Sequence, residues 1–128
     1  MVFEIPADVH EPRDLTRSVL QITALLDLFH AELARVLCLK CGDIGELAAA
    51  RRCLEPGTEA WAQALLFIRL YRALYTSMSG NGVAMRHWLR VEDEALGGVP
   101  HLLIVDAGRL QEVVMYLENS LRRAGKPL

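Results

Sequence analysis

Arg86-His87-Trp88-Leu89-Arg90 and, three residues later, Glu94-Ala95-Leu96-Gly97-Gly98-Val99-Pro100 decide how this chain is read. Ala84 and Trp88 stand four apart, as do Met85 and Leu89, so each pair shares one face of a helix. Gly97-Gly98 then ends any helix, because glycine enters a left-handed backbone without a Cβ clash. Pro100 fixes φ and starts the chain in a new direction. The expected local structure is helix, sharp turn, new element, with an aromatic anchor and two arginines on the helix. No set of catalytic residues falls in this stretch.

Working outward, the neighbouring segments are read as helices too. On the C-terminal side, Pro100–Val105 fits either a short strand or a short helix. Asp106 is the expected cap of a last helix, 107–123, whose Leu110, Val113, Val114, Leu117 and Leu121 follow the 3.6-residue period. On the N-terminal side, Ser79-Gly80-Asn81-Gly82 separates the Trp88 helix from a long one that Thr58 caps and that runs to about Met78. Trp61, Leu65, Ile68, Tyr75 and Met78, widened by Leu66, Phe67, Leu70 and Leu74, give that helix an apolar face broad enough for a central position. Arg69, Arg72 and Thr76 form its expected water- or partner-facing stripe.

Glu55-Pro56-Gly57 is the strongest stop signal in the first half. Before it, Asp43 is the expected cap of a helix reaching Leu54, with Ile44, Leu47 and Cys53 buried and Ala48–Ala50 packing closely. His30–Cys38 is expected to be helical with Leu33, Val36 and Leu37 inward. The first helix, capped by Asp14 or Thr16, should bury Leu15, Val19, Ile22 (or Leu20) and Leu26. Residues 1–13, with Pro6 and Pro12, read as a loosely held arm. The expectation is an all-α, compact single domain of about six helices, with residues 101–105 as the one extended candidate.

The composition narrows the function classes. Hydrophobic residues at 52% and charged residues at 23% belong to a globular chain, not a disordered one. A formal net charge of −2 argues against a protein that lives on phosphate contacts. Cys38, Cys41 and Cys53 provide one C-x-x-C pair and no second, where a closed zinc site typically has two; His30 could serve as a third or fourth ligand, but buried thiols in a reducing compartment are the expectation. The most apolar window, 60–75, is broken by Gln63, Arg69 and Arg72 and cannot span a membrane. With no basic-then-apolar leader, a soluble cytoplasmic protein is expected. His10, His30, His87 and His101 lie far apart, Glu92-Asp93-Glu94 would point in different directions as a solvated connector, and no phosphate loop, dinucleotide fingerprint or H-E-x-x-H occurs. Neither an enzyme nor a cofactor is expected.

Trp88, Leu89 and Arg90, a polar spacer, then Ala95, Leu96, Gly97, Gly98 and Pro100 resemble the C-terminal toxin-binding domain of Xre/MbcA/ParS-type bacterial antitoxins. Pro100 stands one step earlier than that family usually places it and is followed by His101-Leu102-Leu103. The resemblance extends loosely over Leu25–Leu121. It implies an Xre-like helix-turn-helix region at 14–57 and a toxin-binding region at 58–128, packed as one unit. The implied partner is a RES-domain toxin, an enzyme that consumes NAD, with pairing of the chain with itself and repression of its own operon as further family traits.

The implied toxin contacts are Arg86, Trp88, Arg90, Leu96, Gly97, Gly98, Pro100, Arg122 and Arg123. An aromatic at helical spacing such as Trp88 is more often a core residue than a partner contact, and the alternative for the arginines is a solvated stripe. The 30–54 segment, in particular Ala31–Leu37 with Leu39 and Ile44, resembles the helix-turn-helix of Xre-type repressors. A DNA-reading helix usually leads with residues that reach bases or phosphates, yet this one offers Cys41, Gly42, Asp43, Gly45 and Glu46. Lys40, and Arg51 and Arg52 at the far end of that helix, are the candidate DNA contacts. A helix-turn-helix transcriptional regulator, and an orphan of the family with another protein partner, are the alternatives.

Overall fold

The computed structural model describes residues 11–125. Within them the chain is all-α. The helices are α1 (Pro12–Leu25), α2 (His30–Leu37), α3 (Cys41–Ala48), α4 (Glu59–Ser77), α5 (Gly82–Arg90), α6 (Pro100–Val105) and α7 (Leu110–Arg123). The lone β pairing among the described residues is a bridge between Asp93 and Gly98. α6 is the segment left open between strand and helix: Pro100 stands at its first helical position, where a missing N–H costs nothing. The arm expected over 1–13 lies outside the described residues up to residue 10, and from Pro12 onward the chain is already helical.

α4 is the hub. It packs most extensively on α7 and also touches α1, α2 and α5, so both halves of the chain share one core. At about 1.5 Å per residue, its 19 residues span roughly 28 Å. Thr58 caps it as expected, its hydroxyl accepting the Trp61 N–H at 3.2 Å. The buried stripe is Ala60, Ala64, Phe67, Tyr71 and Leu74, with Ile68, Leu70 and Ala73 beside it. This stripe is rotated from the one the sequence suggested: Trp61, Leu65, Tyr75 and Met78 are only half-buried, while Tyr71 is wholly enclosed. A helix apolar over most of its circumference has more apolar surface than its neighbours can cover, and the small Ala60 and Ala64 decide which side they approach. Complete burial of a side chain such as Phe67 is worth about 1.5–3 kcal/mol.

Arg69 is exposed, as expected of the stripe, and it also has a partner within the chain. It grips Glu118 of α7 with two nitrogens, Nε to Oε2 at 3.1 Å, and the pair ties the two longest-packed helices together. Every predicted core position of α7 (Leu110, Val113, Val114, Leu117, Leu121) is buried.

Helix ends account for most other corrections. α1 starts at Pro12 with Glu11 as its N-cap, and neither Asp14 nor Thr16 serves. Thr16 is instead buried inside the helix, donating to Pro12 O at 2.7 Å and accepting the Leu54 N–H at 2.9 Å. α3 begins at Cys41, with Asp43 accepting the Lys40 N–H at 3.2 Å from within the first turn. It ends at Ala48, six residues short of the expected Leu54, and Ala48, Ala49 and Ala50 are exposed. α7 begins at Leu110, because Asp106 closes α6 and pairs with Arg35 of α2 at 2.6 Å.

Candidate protein-interaction surface around Trp88

Ser79 and Gly80 break α4 with successive left-handed residues, and Asn81 opens α5 by accepting the Ala84 N–H at 3.1 Å. The nine residues of α5 then divide into three faces. Met85 and Leu89 are buried in the core. Arg86 and Arg90 turn toward the end of α1. Val83, Ala84, His87 and Trp88 look the other way, into a groove.

The arginine face answers a need of α1. The last carbonyls of any helix lack an intrahelical partner, and α1 has no basic residue in its own last turn. Arg86 Nη1 donates to Leu25 O at 3.1 Å, and its Nε lies 3.8 Å from the Asp27 carboxylate. Arg90 Nη2 donates to Leu26 O and to Asp27 O, each at 2.8 Å, while its Nη1 reaches Arg86 O at 3.2 Å. Arg86 is half-buried and Arg90 exposed. The two guanidinium groups therefore cap α1, and the basic rim expected beside the tryptophan lies across the helix from it.

The groove has a volume of about 440 Å³ and is carbon-lined along most of its wall. Met78, Val83, Ala84, Trp88 and Val91 supply that wall, and Glu92 and Asp93 close one end. Val83 is 70% exposed and Val91 45%. Trp88 is half-buried: it packs against the core on one side and opens into this groove on the other.

A tight turn braces the groove's far end. Asp93 N–H donates to Gly98 O at 2.9 Å, and Asp93 O accepts the Gly97 N–H at 2.9 Å and the Gly98 N–H at 3.3 Å. The Asp93 carboxylate accepts the Ala95 and Leu96 N–H groups at 2.9 and 3.3 Å. It also bonds the Tyr116 hydroxyl of α7; burial first, then the Asp93 charge and hydrogen bond, raise that phenol above its ordinary pKa. Asp93 is thus the organiser of the turn, not a solvated connector.

Gly97 adopts φ +79°, open only to glycine at little cost, whereas Gly98 is held by space: a Cβ there would sit 3.3 Å from Leu103 Cδ2. Leu96 and Pro100 point inward and are buried. Of the C-terminal cations, Arg122 is exposed and donates to Asn119 Oδ1 at 2.7 Å, while Arg123 lies within electrostatic reach of the Tyr116 hydroxyl.

The cations considered for DNA lie elsewhere, around α3. Lys40 is exposed at its N-cap. Arg51 pairs with Glu46 at 2.6 Å and Arg52 with Asp43 at 2.8 Å, so carboxylates of α3 itself face both arginines. α2 and α3 are joined by Cys38, Leu39 and Lys40, with Cys38 left-handed at φ +59°.

The cysteines were expected as buried thiols. Cys38 is instead exposed, Cys53 is half-buried, and the Cys41 side chain lies outside the description. Partial desolvation of the sulfur, then the hydrogen bond and charge of Glu59, raise the Cys38 thiol above its ordinary pKa. Among the described residues no group of three or more His, Cys, Asp or Glu side chains could hold a metal ion, and no helix is long and apolar enough to cross a membrane. His101 Nε2 comes within 2.6 Å of the Glu32 carboxylate, off the line a ring N–H would need for a hydrogen bond.

Comparison with protein-family models finds no match, and comparison with curated proteins finds none.

Val83 and Val91 are the surface residues that reading the sequence passed over. Their signal was present: Val83, His87 and Val91 recur at four-residue steps on one side of α5.

Proposed function

We propose that this chain is an antitoxin-like binding protein that covers the active-site mouth of a RES-type toxin and excludes its substrate, with no bond-making of its own. The observation that carries the reading is the Trp88 groove. An apolar recess with an indole in its wall and two solvent-facing valines beside it is the kind of surface that anchors a partner side chain. The α1 caps on one flank and the Asp93 turn on the other keep it rigid, which lowers the ordering cost of binding. The choice of a RES-type toxin rests on the likeness of residues 88–100 to the antitoxin pattern.

In this reading Arg86, Arg90, Leu96, Gly97, Gly98 and Pro100 act by positioning, and Trp88, Val83 and Val91 make the contact. Arg122 and Arg123 contribute positive charge at the end of α7. The test is co-purification with a RES-domain protein encoded beside the gene, comparing the wild-type chain with Val83→Asp plus Val91→Asp. Both valines are exposed, so the variant keeps its fold. Loss of the complex, with NAD consumption by the toxin restored, is the expected result. A complex that survives both substitutions overturns the groove as the interface, and failure of the wild type to bind leaves the chain as an orphan with another partner.

The α2–turn–α3 unit favours a second reading, a helix-turn-helix regulator that pairs with itself through the C-terminal half. Arg51 and Arg52 are already matched by Glu46 and Asp43, so phosphate contact by them would have to break those pairs. Steep weakening of binding to upstream DNA with added salt, and its loss on Arg51→Ala plus Arg52→Ala, would support that reading.

A further inference from the structure

We propose that the trough between α1 and α3 is a second docking surface, independent of the Trp88 groove, and that it receives an acidic amphipathic helix of a protein partner. The trough has a volume of about 640 Å³. Leu20 lies half-buried in its floor, and Ala24, Ala48 and Ala50 border it with nothing larger than a methyl group. Small side chains let a helix backbone come close, because interaxial distance follows the residues at the contact. Along α1 the lining runs from Arg13 to Ala24, about 16 Å at 1.5 Å per residue, which matches three turns of a helix laid beside it.

Charge selects the partner. The charged groups in the lining are Arg13 and Arg17. Arg13 has no ion-pair or hydrogen-bond partner among the described residues, and Arg17 has an exposed contact with Asp14 at 4.0 Å. Arg51, nearby in sequence, is occupied by Glu46. The trough is therefore locally cationic on a chain of net charge −2. A largely carbon-lined floor beside Arg13, unpaired among the described residues, and the loosely paired Arg17 fits an apolar ridge flanked by carboxylates, which is the helix-in-groove mode of recognition. A phosphate backbone could use the arginines but not the floor.

The probe is a labelled helical peptide of about 14 residues with leucines at i, i+4 and i+7 and glutamates flanking them, against a matched peptide carrying lysines. The full chain is compared with Arg13→Glu plus Arg17→Glu, both exposed and so compatible with folding. Fluorescence anisotropy is expected to show binding of the glutamate peptide only, weakened about tenfold or more in the double variant. Equal binding of both peptides, or equal binding by the variant, overturns the proposal. So does tighter binding of duplex DNA or of anionic vesicles, loss of a self-association in the variant, or a tenfold gain in peptide affinity on deleting residues 1–10, which would make the chain's own N-terminal segment the occupant. Because the Val83→Asp plus Val91→Asp variant leaves this trough intact, its outcome and this one are separable.

Discussion

Arg90 Nη2 lies 2.8 Å from the carbonyl oxygen of Leu26, so a guanidinium on α5 closes the end of a helix that stands 64 residues earlier in the chain. Hydrogen bonds from a charged donor to otherwise unmatched helix-terminal carbonyls, aligned with the helix dipole, are worth about 1–2 kcal/mol here. Arg90→Ala is therefore expected to lower the denaturation midpoint by that amount with an unchanged denaturant slope. Arg90→Lys should recover only part of it, since one ammonium cannot present the planar fork that serves Leu26, Asp27 and Arg86 together. A stability of Arg90→Ala equal to wild type would remove the cap from the account. The same geometry means that charge reversal at Arg86 and Arg90 perturbs the fold before it reports on any partner.

The turn after α5 gives a second expectation. Gly97 stands at φ +79° with open space where a Cβ would go, so the cost of a side chain there is backbone strain alone. Gly97→Ala should destabilise by about 1–2 kcal/mol and Gly97→Asn by less, because asparagine tolerates the left-handed region. Thermal unfolding of the two variants side by side checks the order. An alanine variant no worse than the asparagine one would contradict it.

Much of this architecture was legible in the sequence, and the misses share a cause. Period alone found the inward set of α7, and local punctuation found both ends of α4 and the start of α5. The errors fall where a contact distant in sequence overrides a local preference. Ala48–Ala50 are strong helix formers, yet the chain turns at Ala50 (φ +61°) and Leu54 N–H is drawn to Thr16, 38 residues away. Asp106 looks like an N-cap, but its carboxylate pairs with Arg35, 71 residues away. Arg86 and Arg90 look like a free basic pair because nothing near them in sequence shows that the end of α1 needs donors. The groove was half visible: Trp88 stood out, while Val83 and Val91 were passed over.

Tyr116 and Asp93 make the fold sensitive to alkaline pH. The Tyr116 phenol is raised above the ordinary value of 10.0, chiefly by burial and then by the Asp93 charge and hydrogen bond. With the folded-state value above the unfolded one, the folded chain holds the proton more tightly between the two. The associated stability is fully present below pH 10 and is lost as pH rises through the folded value. Phenolate absorbance should show a late-titrating component for Tyr116, moved back toward the ordinary value by Asp93→Asn and lost in Tyr116→Phe. If Asp93→Asn leaves the titration where it was, the carboxylate is not the partner of the phenol.

Ser79 carries a cost that glycine would relieve. It ends α4 at φ +53°, directly before Gly80 at φ +76°, and its side chain is exposed. A left-handed L-residue costs about 1–2 kcal/mol, partly offset on substitution because glycine gains freedom in the unfolded chain. Ser79→Gly is thus expected to stabilise by about 0.5–1 kcal/mol, seen as a rise of a few degrees in Tm. Gly80→Ala should do the reverse and do it strongly. There the φ is equally positive, and a Cβ would also come within 3.3 Å of the Tyr75 ring. A Ser79→Gly protein that melts lower than wild type would mean that the serine makes a contact at the α4–α5 corner worth more than the strain it carries.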